Sequence, residues 1–311
     1  MKEFSLLPFL EKYLSLDEPF ILACSTWADS MFLLYKILET PYRKNLIAAY
    51  FNHNTREQCR QEEDFLLELG KKEGFQLEIG ECNFEKIKKL YTSKSFEELA
   101  REKRYQFFDA LCHIHGAQKV LLAHHLDDRI ETMLFNMLRG TKLTWLINMQ
   151  EASGILYRPL LQIQKQDILS YLHEHSLPYF EDESNTKNEF TRNYIRNEIS
   201  PLLSQVHPEY KKNIWNLLGY FEDMKLFLDG KIDMFLWEKK EFWVKEFLTE
   251  SEFLQKEILR KMYFHANNNS TIGLSEANIA EILRFFQEKK WTWIKEIHGL
   301  KMRKEKGKVY F

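Results

Sequence analysis

Residues 25–30, Ser-Thr-Trp-Ala-Asp-Ser, place three hydroxyls and one carboxylate in a short turn. They follow Phe20-Ile-Leu-Ala-Cys24, a continuous apolar run that reads as a buried strand. They lead into 31–38, apolar almost all round, which reads as a buried helix. Such a strand–turn–helix unit aims the first free N–H groups of the helix at one point, with the positive end of its dipole behind them. That is a phosphate site. Ser25, Thr26 and Ser30 add hydroxyl donors, and the backbone N–H groups of Trp27 and Ala28 survive whatever their side chains are. Asp29 adds a carboxylate able to hold a divalent cation. The plainer alternative is an ordinary connection capped by Asp29 or Ser30.

A second cluster, His124-His-Leu-Asp-Asp-Arg-Ile-Glu131, lies at another strand end running into a helix. Asp128 and Glu131 are three apart and Asp127 and Glu131 four apart, so two carboxylates share a face. Acidic residues in a first turn often only complement the helix dipole. Two histidines and three carboxylates in eight residues exceed that need and suit a metal or a substrate ammonium. Adjacent histidines point apart, which disfavours zinc; magnesium with phosphate oxygens suits carboxylates better. Arg101 and Arg104 are three apart and could clamp a phosphate or carboxylate, or simply pair with Glu97, Glu98 and Glu102. Arg192 and Arg196 are four apart, spaced for two nucleic-acid backbone contacts or for pairing with Glu189 and Glu198.

The elements that must position these groups follow from periodicity. Leu46-Ile-Ala-Ala-Tyr-Phe51 is a second apolar strand, Phe75–Ile79 a third and Lys119–Ala123 a fourth. Helical patterns cover 2–15, 57–72, 95–112, where Ser95 opens a capping-box spacing, and 126–138 before Gly140. Unbroken apolar strands alternating with helices predict an α/β fold, a parallel sheet with helices on both faces. Ligands in such sheets bind beyond the carboxyl ends of the strands. Three polar segments fall there: 25–30, 52–56 and 124–131.

At 311 residues the chain is comfortable for two domains. Its net charge of −2 excludes a protein coated for nucleic acid, so any such contact must be a local patch. No apolar run reaches the roughly 20 residues of a membrane span, and Met1-Lys-Glu-Phe-Ser5 lacks the apolar core of a secretory signal. We therefore expect a cytoplasmic protein. Cys24, Cys59, Cys82 and Cys112 form no C-x-x-C pair and read as reduced, mostly buried thiols.

The loop 25–30 resembles the S-G-G-x-D-S loop of ATP pyrophosphatases that adenylate a carbonyl oxygen. Phe51-Asn-His-Asn-Thr-Arg56, Leu99-Ala-Arg-Glu-Lys-Arg-Tyr105, Ala123–Thr132, Leu138-Arg-Gly140, Arg158-Pro-Leu-Leu161, Asp182-Glu-Ser-Asn185 and Phe190–Arg196 are similar to tRNA(Ile)-lysidine synthetases, in the same order, over roughly 20–205. The resemblance implies an adenine nucleotide alpha-hydrolase-like fold with a smaller α+β C-terminal domain. It implies ATP and Mg²⁺, a CAU-anticodon isoleucine tRNA and free lysine as partners, and no membrane; a homodimer stays open. Carried over residue by residue, Ser25, Thr26, Trp27, Ala28, Asp29 and Ser30 would hold the nucleotide, and Asp29 and Asp128 the metal. Asp128, Glu131 and Arg104 would be catalytic, with Glu131 receiving or positioning the lysine amine. Arg139, Arg192 and Arg196 would contact tRNA. Domains of 1–212 (catalytic, ATP-binding, with a helical tRNA-contact segment) and 213–311 (tRNA-binding) follow. A tRNA thiolase on the same loop would want catalytic cysteines or a metal-bound sulfur; a tRNA-binding protein with a degenerate ATP site is the third reading.

Two departures stand out. Thr26-Trp27 replaces the family's Gly-Gly. Of the two we expect tryptophan to be the harder to fit, costing about 1–2 kcal/mol if it must be left-handed. The segment 141–149 also lacks the family's glycines, and Trp145 suits either a core or a base-stacking platform. Beyond it, 167–175 reads as a short helix. From about 213 the texture changes: five of the seven tryptophans lie there, 213–265 reads as helices, and Ser275 caps another. Residues 291–311 read as short strands with a turn near Lys306-Gly307. Eight basic residues between Lys289 and Lys308 make this end either a solvated charge run or a tRNA-facing patch.

Overall fold

The computed structural model describes residues 4–52, 58–82, 96–147, 149–181, 191–236, 241–267, 274–288 and 292–311. The chain divides into two compact units, 1–217 and 218–311.

In the first unit, helix α1 (Leu7–Tyr13) precedes β1 (Phe20–Ala23), α2 (Ala28–Leu38), β2 (Leu46–Asn52), α3 (Gln58–Glu73), β3 (Gln76–Glu81), α4 (Phe96–His115), β4 (Val120–Leu121) and α5 (Leu126–Leu138). Then come α6 (Leu143–Leu146), β5 (Ala152–Ser153), β6 (Leu156–Tyr157) and α7 (Lys165–Glu174). The sheet order is β3-β2-β1-β4-β6-β5. Every pairing is parallel except the short β5–β6 hairpin. The expected parallel α/β sheet is therefore present, with the β5–β6 edge added; strands two residues long leave no periodicity to detect.

Alternate strand residues enter two different cores, as a period of two demands. Phe20, Leu22, Leu46 and Ala48 pack with α1, α2 and α7. Ile21, Ile47 and Ala49 pack with Phe108, Leu111 and Cys112 of α4 on the other face. Helix α2 is buried at ten of its eleven residues, which is why its sequence is apolar all round. The third strand is shifted to Gln76–Glu81, the fourth is two residues rather than five, and α7 starts two residues before the predicted helix.

After residue 190 the chain runs through α8 (Thr191–Tyr194), a π-helical turn (Ile195–Ile199) and α9 (Ser200–Val206). Pro201 cannot donate to the carbonyl four residues back, and the Ser200 N–H reaches the Ile195 carbonyl five back instead. Ile195, Ile199, Leu203 and the start of α10 (Tyr210–Leu236) pack on Leu126, Ile130 and Leu134 of α5.

The second unit packs the rest of α10, β7 (Glu241–Trp243), α11 (Val244–Thr249), α12 (Glu252–Ala266) and α13 (Glu276–Gln287) with the strands β8 (Thr292–Ile297), β9 (Leu300–Glu305) and β10 (Lys308–Tyr310). Its sheet is antiparallel, ordered β7-β10-β9-β8. Ser275 caps α13 as expected. There are two tight turns, not one: His298-Gly299 and Lys306-Gly307 both have positive φ, the pairing that favours two-residue hairpins. The basic run is partly structural: Lys295 pairs with Glu281, Lys308 with Glu241, and buried Lys304 donates to the Phe286 and Glu288 carbonyls. Lys289 and Lys290 lie outside the described residues.

Candidate active site

The turn between β1 and α2 is held from within. The Ser25 N–H donates to Ser30 Oγ (3.1 Å), and Ser30 Oγ donates to the Trp27 carbonyl (3.0 Å). Neither Asp29 nor Ser30 caps the helix: Trp27 occupies the cap position and makes no side-chain cap hydrogen bond. The plainer alternative for this turn thus fails, and the helix start is open to an anion.

The expectation about the two replaced glycines is reversed. Thr26 takes the left-handed conformation, φ +64°, while Trp27 is extended at φ −76°. A β-branched residue at positive φ costs about 1–3 kcal/mol and persists only where its surroundings impose it. Here Thr26 is fully buried, its hydroxyl donates to the Ser25 carbonyl, and its own carbonyl accepts the Phe180 N–H (3.0 Å). Trp27 forms a parallel bridge with Phe180 and its side chain walls a cavity of about 250 Å³.

That cavity lies at the carboxyl edge of the sheet. The loop lines it through Ser25, Trp27, Asp29 and Ser30, and the facing helix start through His124 and Asp128. Ala49, Tyr50 and Phe51 of β2, Glu62 of α3 and Arg104, Tyr105 and Phe108 of α4 complete the walls. Arg104 thus reaches the site, and burial lowers its pKa. Arg101 is exposed and stacks on Tyr105, 4.9 Å from the ring centroid.

The carboxylates converge on one imidazole. His125 Nε2 lies 3.6 Å from Asp29 Oδ1 and 3.5 Å from Asp128 Oδ2, so loop and helix start meet there. Asp128 also accepts the His125 N–H at 3.0 Å, closing the start of α5 on itself. Lys165 at the start of α7 pairs with Asp29 (2.6 Å), and its N–H donates to Asp127 (2.8 Å). Lys211 pairs with the other oxygen of Asp127. Nothing in the sequence marked Lys165 or Lys211; one is 136 residues from Asp29 and the other 84 from Asp127.

Arg196 departs from its expected place. It grips Glu131 with two hydrogen bonds of 2.8 Å and touches Asp128 at 3.3 Å. The π-helical turn that carries it directs it at the acidic cluster. Burial opposes its charge, but the pairing with Glu131 outweighs that and raises its pKa. Glu131 is 5% exposed, and burial lifts its pKa despite Arg196. Burial also works against Asp128, yet the adjacent His125 and His124, the His125 N–H and Arg196 hold it below the usual carboxylate range. Asp127 lies low as well, Lys211 and the Lys165 N–H overcoming its burial. His124 is pushed down to about 4 by burial, with Arg158, Arg101 and Arg104 adding to the effect and Asp128 opposing it.

Arg139 and Arg192 are both exposed and both lie over Phe135, at 5.1 and 5.4 Å from its centroid. Trp145 is 56% exposed, which removes it from any core. Residues 53–56 and 182–190 fall outside the described residues. All four cysteines are buried and free, as expected.

Among the described residues no three His, Cys, Asp or Glu side chains form a metal cage. Asp29 and Asp128, which both approach His125 Nε2 and both line the cavity, are carboxylates of the kind Mg²⁺ takes, one or two at a time, with water and phosphate oxygens completing its shell. Among the described residues no helix is long and apolar enough to cross a membrane.

The tRNA(Ile)-lysidine synthase of Bacteroides thetaiotaomicron is 34% identical over 220 residues, 70% of this chain and 50% of the relative. That of Staphylococcus aureus (strain MRSA252) is 29% identical over 298 residues, 92% of this chain and 66% of the relative. The chain thus spans one half to about two thirds of the length of these relatives. The structure of the U34-tRNA thiolase NcsA from Methanococcus maripaludis, with its [4Fe-4S] cluster, superposes with a TM-score of 0.57 at 18% identity, covering 71% of this chain and 77% of that one. That likeness shows the fold alone. Residues 4–203 match the family model of the PP-loop domain. With an open helix start after β1 and an acidic helix start facing it across the sheet edge, the chain belongs to the PP-loop family.

Proposed function

We propose that the protein adenylates the C2 carbonyl oxygen of the wobble cytidine in a CAU-anticodon isoleucine tRNA and passes that carbon to free lysine, giving lysidine. The observation that carries this reading is one cavity lined by Ser25, Trp27, Asp29 and Ser30 of the loop and by Asp128 of the facing helix start, with Asp29 and Asp128 both approaching His125 Nε2. The names of the relatives, tRNA(Ile)-lysidine synthase, support the tRNA substrate and the lysidine product of this reading. Those substrates belong to the cytoplasm.

In the first step the cytidine oxygen attacks the α-phosphorus of ATP and pyrophosphate leaves. The open start of α2 and the hydroxyls of Ser25 and Ser30 receive the phosphates. Asp29 and Asp128 would hold Mg²⁺, which neutralises phosphate charge; Lys165 and Arg196 would then release these carboxylates. Arg104 steadies the charge of the adenylate. In the second step the lysine amine attacks C2, the C–O bond breaks and AMP leaves; the amine sheds a proton. Glu131 holds or deprotonates that amine, and a carboxylate whose pKa is raised by burial is the better acceptor. AMP is a good leaving group where a carbonyl oxygen is a poor one, which is why ATP is consumed. Arg139, Arg192 and exposed Trp145 offer phosphate and stacking contacts to tRNA.

Radiolabelled lysine with a CAU-anticodon isoleucine tRNA tests the reading. ATP-dependent incorporation is expected. tRNA binding without turnover would instead leave a binding protein, and sulfur transfer a thiolase.

A further inference from the structure

Glu62 is 3% exposed, lies on α3 and lines the same cavity. Its Oε2 accepts the Tyr50 hydroxyl at 2.7 Å. Its Oε1 is buried and, among the described residues, has no hydrogen-bond partner. A buried carboxylate oxygen left without a donor costs about 1–3 kcal/mol or more, so it calls for a donor from elsewhere. Tyr50 is equally buried, and burial together with Glu62 raises its pKa, so it stays a donor and fixes the carboxylate.

The surroundings say what that donor belongs to. Ala49, Phe51, Cys59, Tyr105, Phe108 and Leu122 wall the cavity with apolar and aromatic surface. Flat, apolar walls with one fixed acceptor suit a heterocycle bearing an amino group. β2 neighbours β1 in the sheet. A nucleotide whose phosphates sit at the start of α2 would therefore lay its base toward β2 and α3. A free ammonium finds better company among the carboxylates at 127–131.

We propose that Glu62 selects the base of the bound nucleotide, its Oε1 accepting a hydrogen bond from the 6-amino group of adenine. This rests on the reading of residues 25–30 as an ATP site. A 6-oxo purine would set its carbonyl oxygen against the carboxylate. Sites built to bond a substrate N–H reject analogues lacking it by up to about 10⁴-fold.

Calorimetric titration of the protein with the magnesium salts of ATP, inosine triphosphate and purine riboside triphosphate tests this. The wild type should bind ATP at least ~10²-fold more tightly than inosine triphosphate and at least ~10-fold more tightly than purine riboside triphosphate. In Glu62→Gln, the amide oxygen still serves Tyr50 while its N–H₂ faces the base, so the ATP-to-inosine preference should shrink ~100-fold or invert. An unchanged preference in a folded variant overturns the proposal, as does a variant that alters only the KM for lysine. Should Glu62→Gln fail to fold, equal binding of ATP and purine riboside triphosphate by the wild type overturns it alone. ATP binding without base preference refutes the role of Glu62 and leaves the proposed function standing; no ATP binding at all refutes both.

Discussion

Two helix starts face the cavity, and they are built in opposite ways. The start of α2 carries no side-chain cap, and its hydroxyls bond to each other and to the loop backbone. The start of α5 is closed by its own Asp128, and its carboxylates are matched by Lys211 and Arg196. One start keeps the positive end of its helix dipole without a side-chain cap. The other is an anionic site already neutralised by the protein's own cations. Asp29, Asp127, Asp128 and Glu131 lie close together because Lys165, Lys211 and Arg196 pair with them.

The largest effect on this contrast should come from Asp128→Asn, which leaves the open start intact and removes one carboxylate charge from the closed one. Lysine incorporation should fall about 10³-fold; unchanged turnover would make the acidic cluster structural only. Second comes acid sensitivity. His124 has a folded-state pKa near 4 against an ordinary 6.5, so the unfolded chain binds the proton first. Its contribution is complete above pH 6.5 and is lost as pH falls toward 4, with a slope approaching about 1.4 kcal/mol per pH unit. His124→Gln should flatten that part of a thermal-melt series recorded without nucleotide or metal. Glu131 adds the opposite trend: with its folded value raised, its contribution is present at low pH and lost as pH rises through that value.

Arg196→Met should leave Glu131 buried and unpaired. Because the Arg196 side chain is 37% exposed, we expect about 2 kcal/mol of destabilisation in denaturant melts rather than the 3–5 of a fully buried pair. Restoration by Glu131→Gln in the same chain would identify the pair as the cause. The smallest effect separates the two residues of the open loop. Thr26→Gly should stabilise by about 0.5–1 kcal/mol, relieving positive φ against a modest entropy cost. Trp27→Gly, at an ordinary φ, should gain nothing. If Trp27→Gly is the stabilising change, the strain has been assigned to the wrong residue.

The sequence made the meeting of these two starts legible, because continuous apolar strands imply a parallel sheet and polar segments at strand ends must share its carboxyl edge. Arg104, Asp29 and Asp128 reach the cavity for that reason. Spacing could not show which way a residue faces inside an irregular turn. The four-residue spacing of Arg192 and Arg196 predicts a shared helix face, but Arg196 lies in the π turn before Pro201 and bonds Glu131. Sequence does not show which of Thr26 and Trp27 must be left-handed; the turn gives positive φ to Thr26. Lys165, Lys211 and Glu62 carry no local pattern, and only the folded chain brings them to the site.

The hold of Phe180 on Thr26 sets a minimum length for a working nucleotide loop. The residue that keeps the turn left-handed arrives more than 150 positions later, alongside the Pro178 carbonyl that accepts the Tyr35 hydroxyl. A fragment cut after α7 would retain every strand of the first sheet yet lose the clasp that shapes residues 25–30. The sheet and the shape of the turn at 25–30 are thus held by different stretches of chain, the second depending on a contact that lies beyond the last strand.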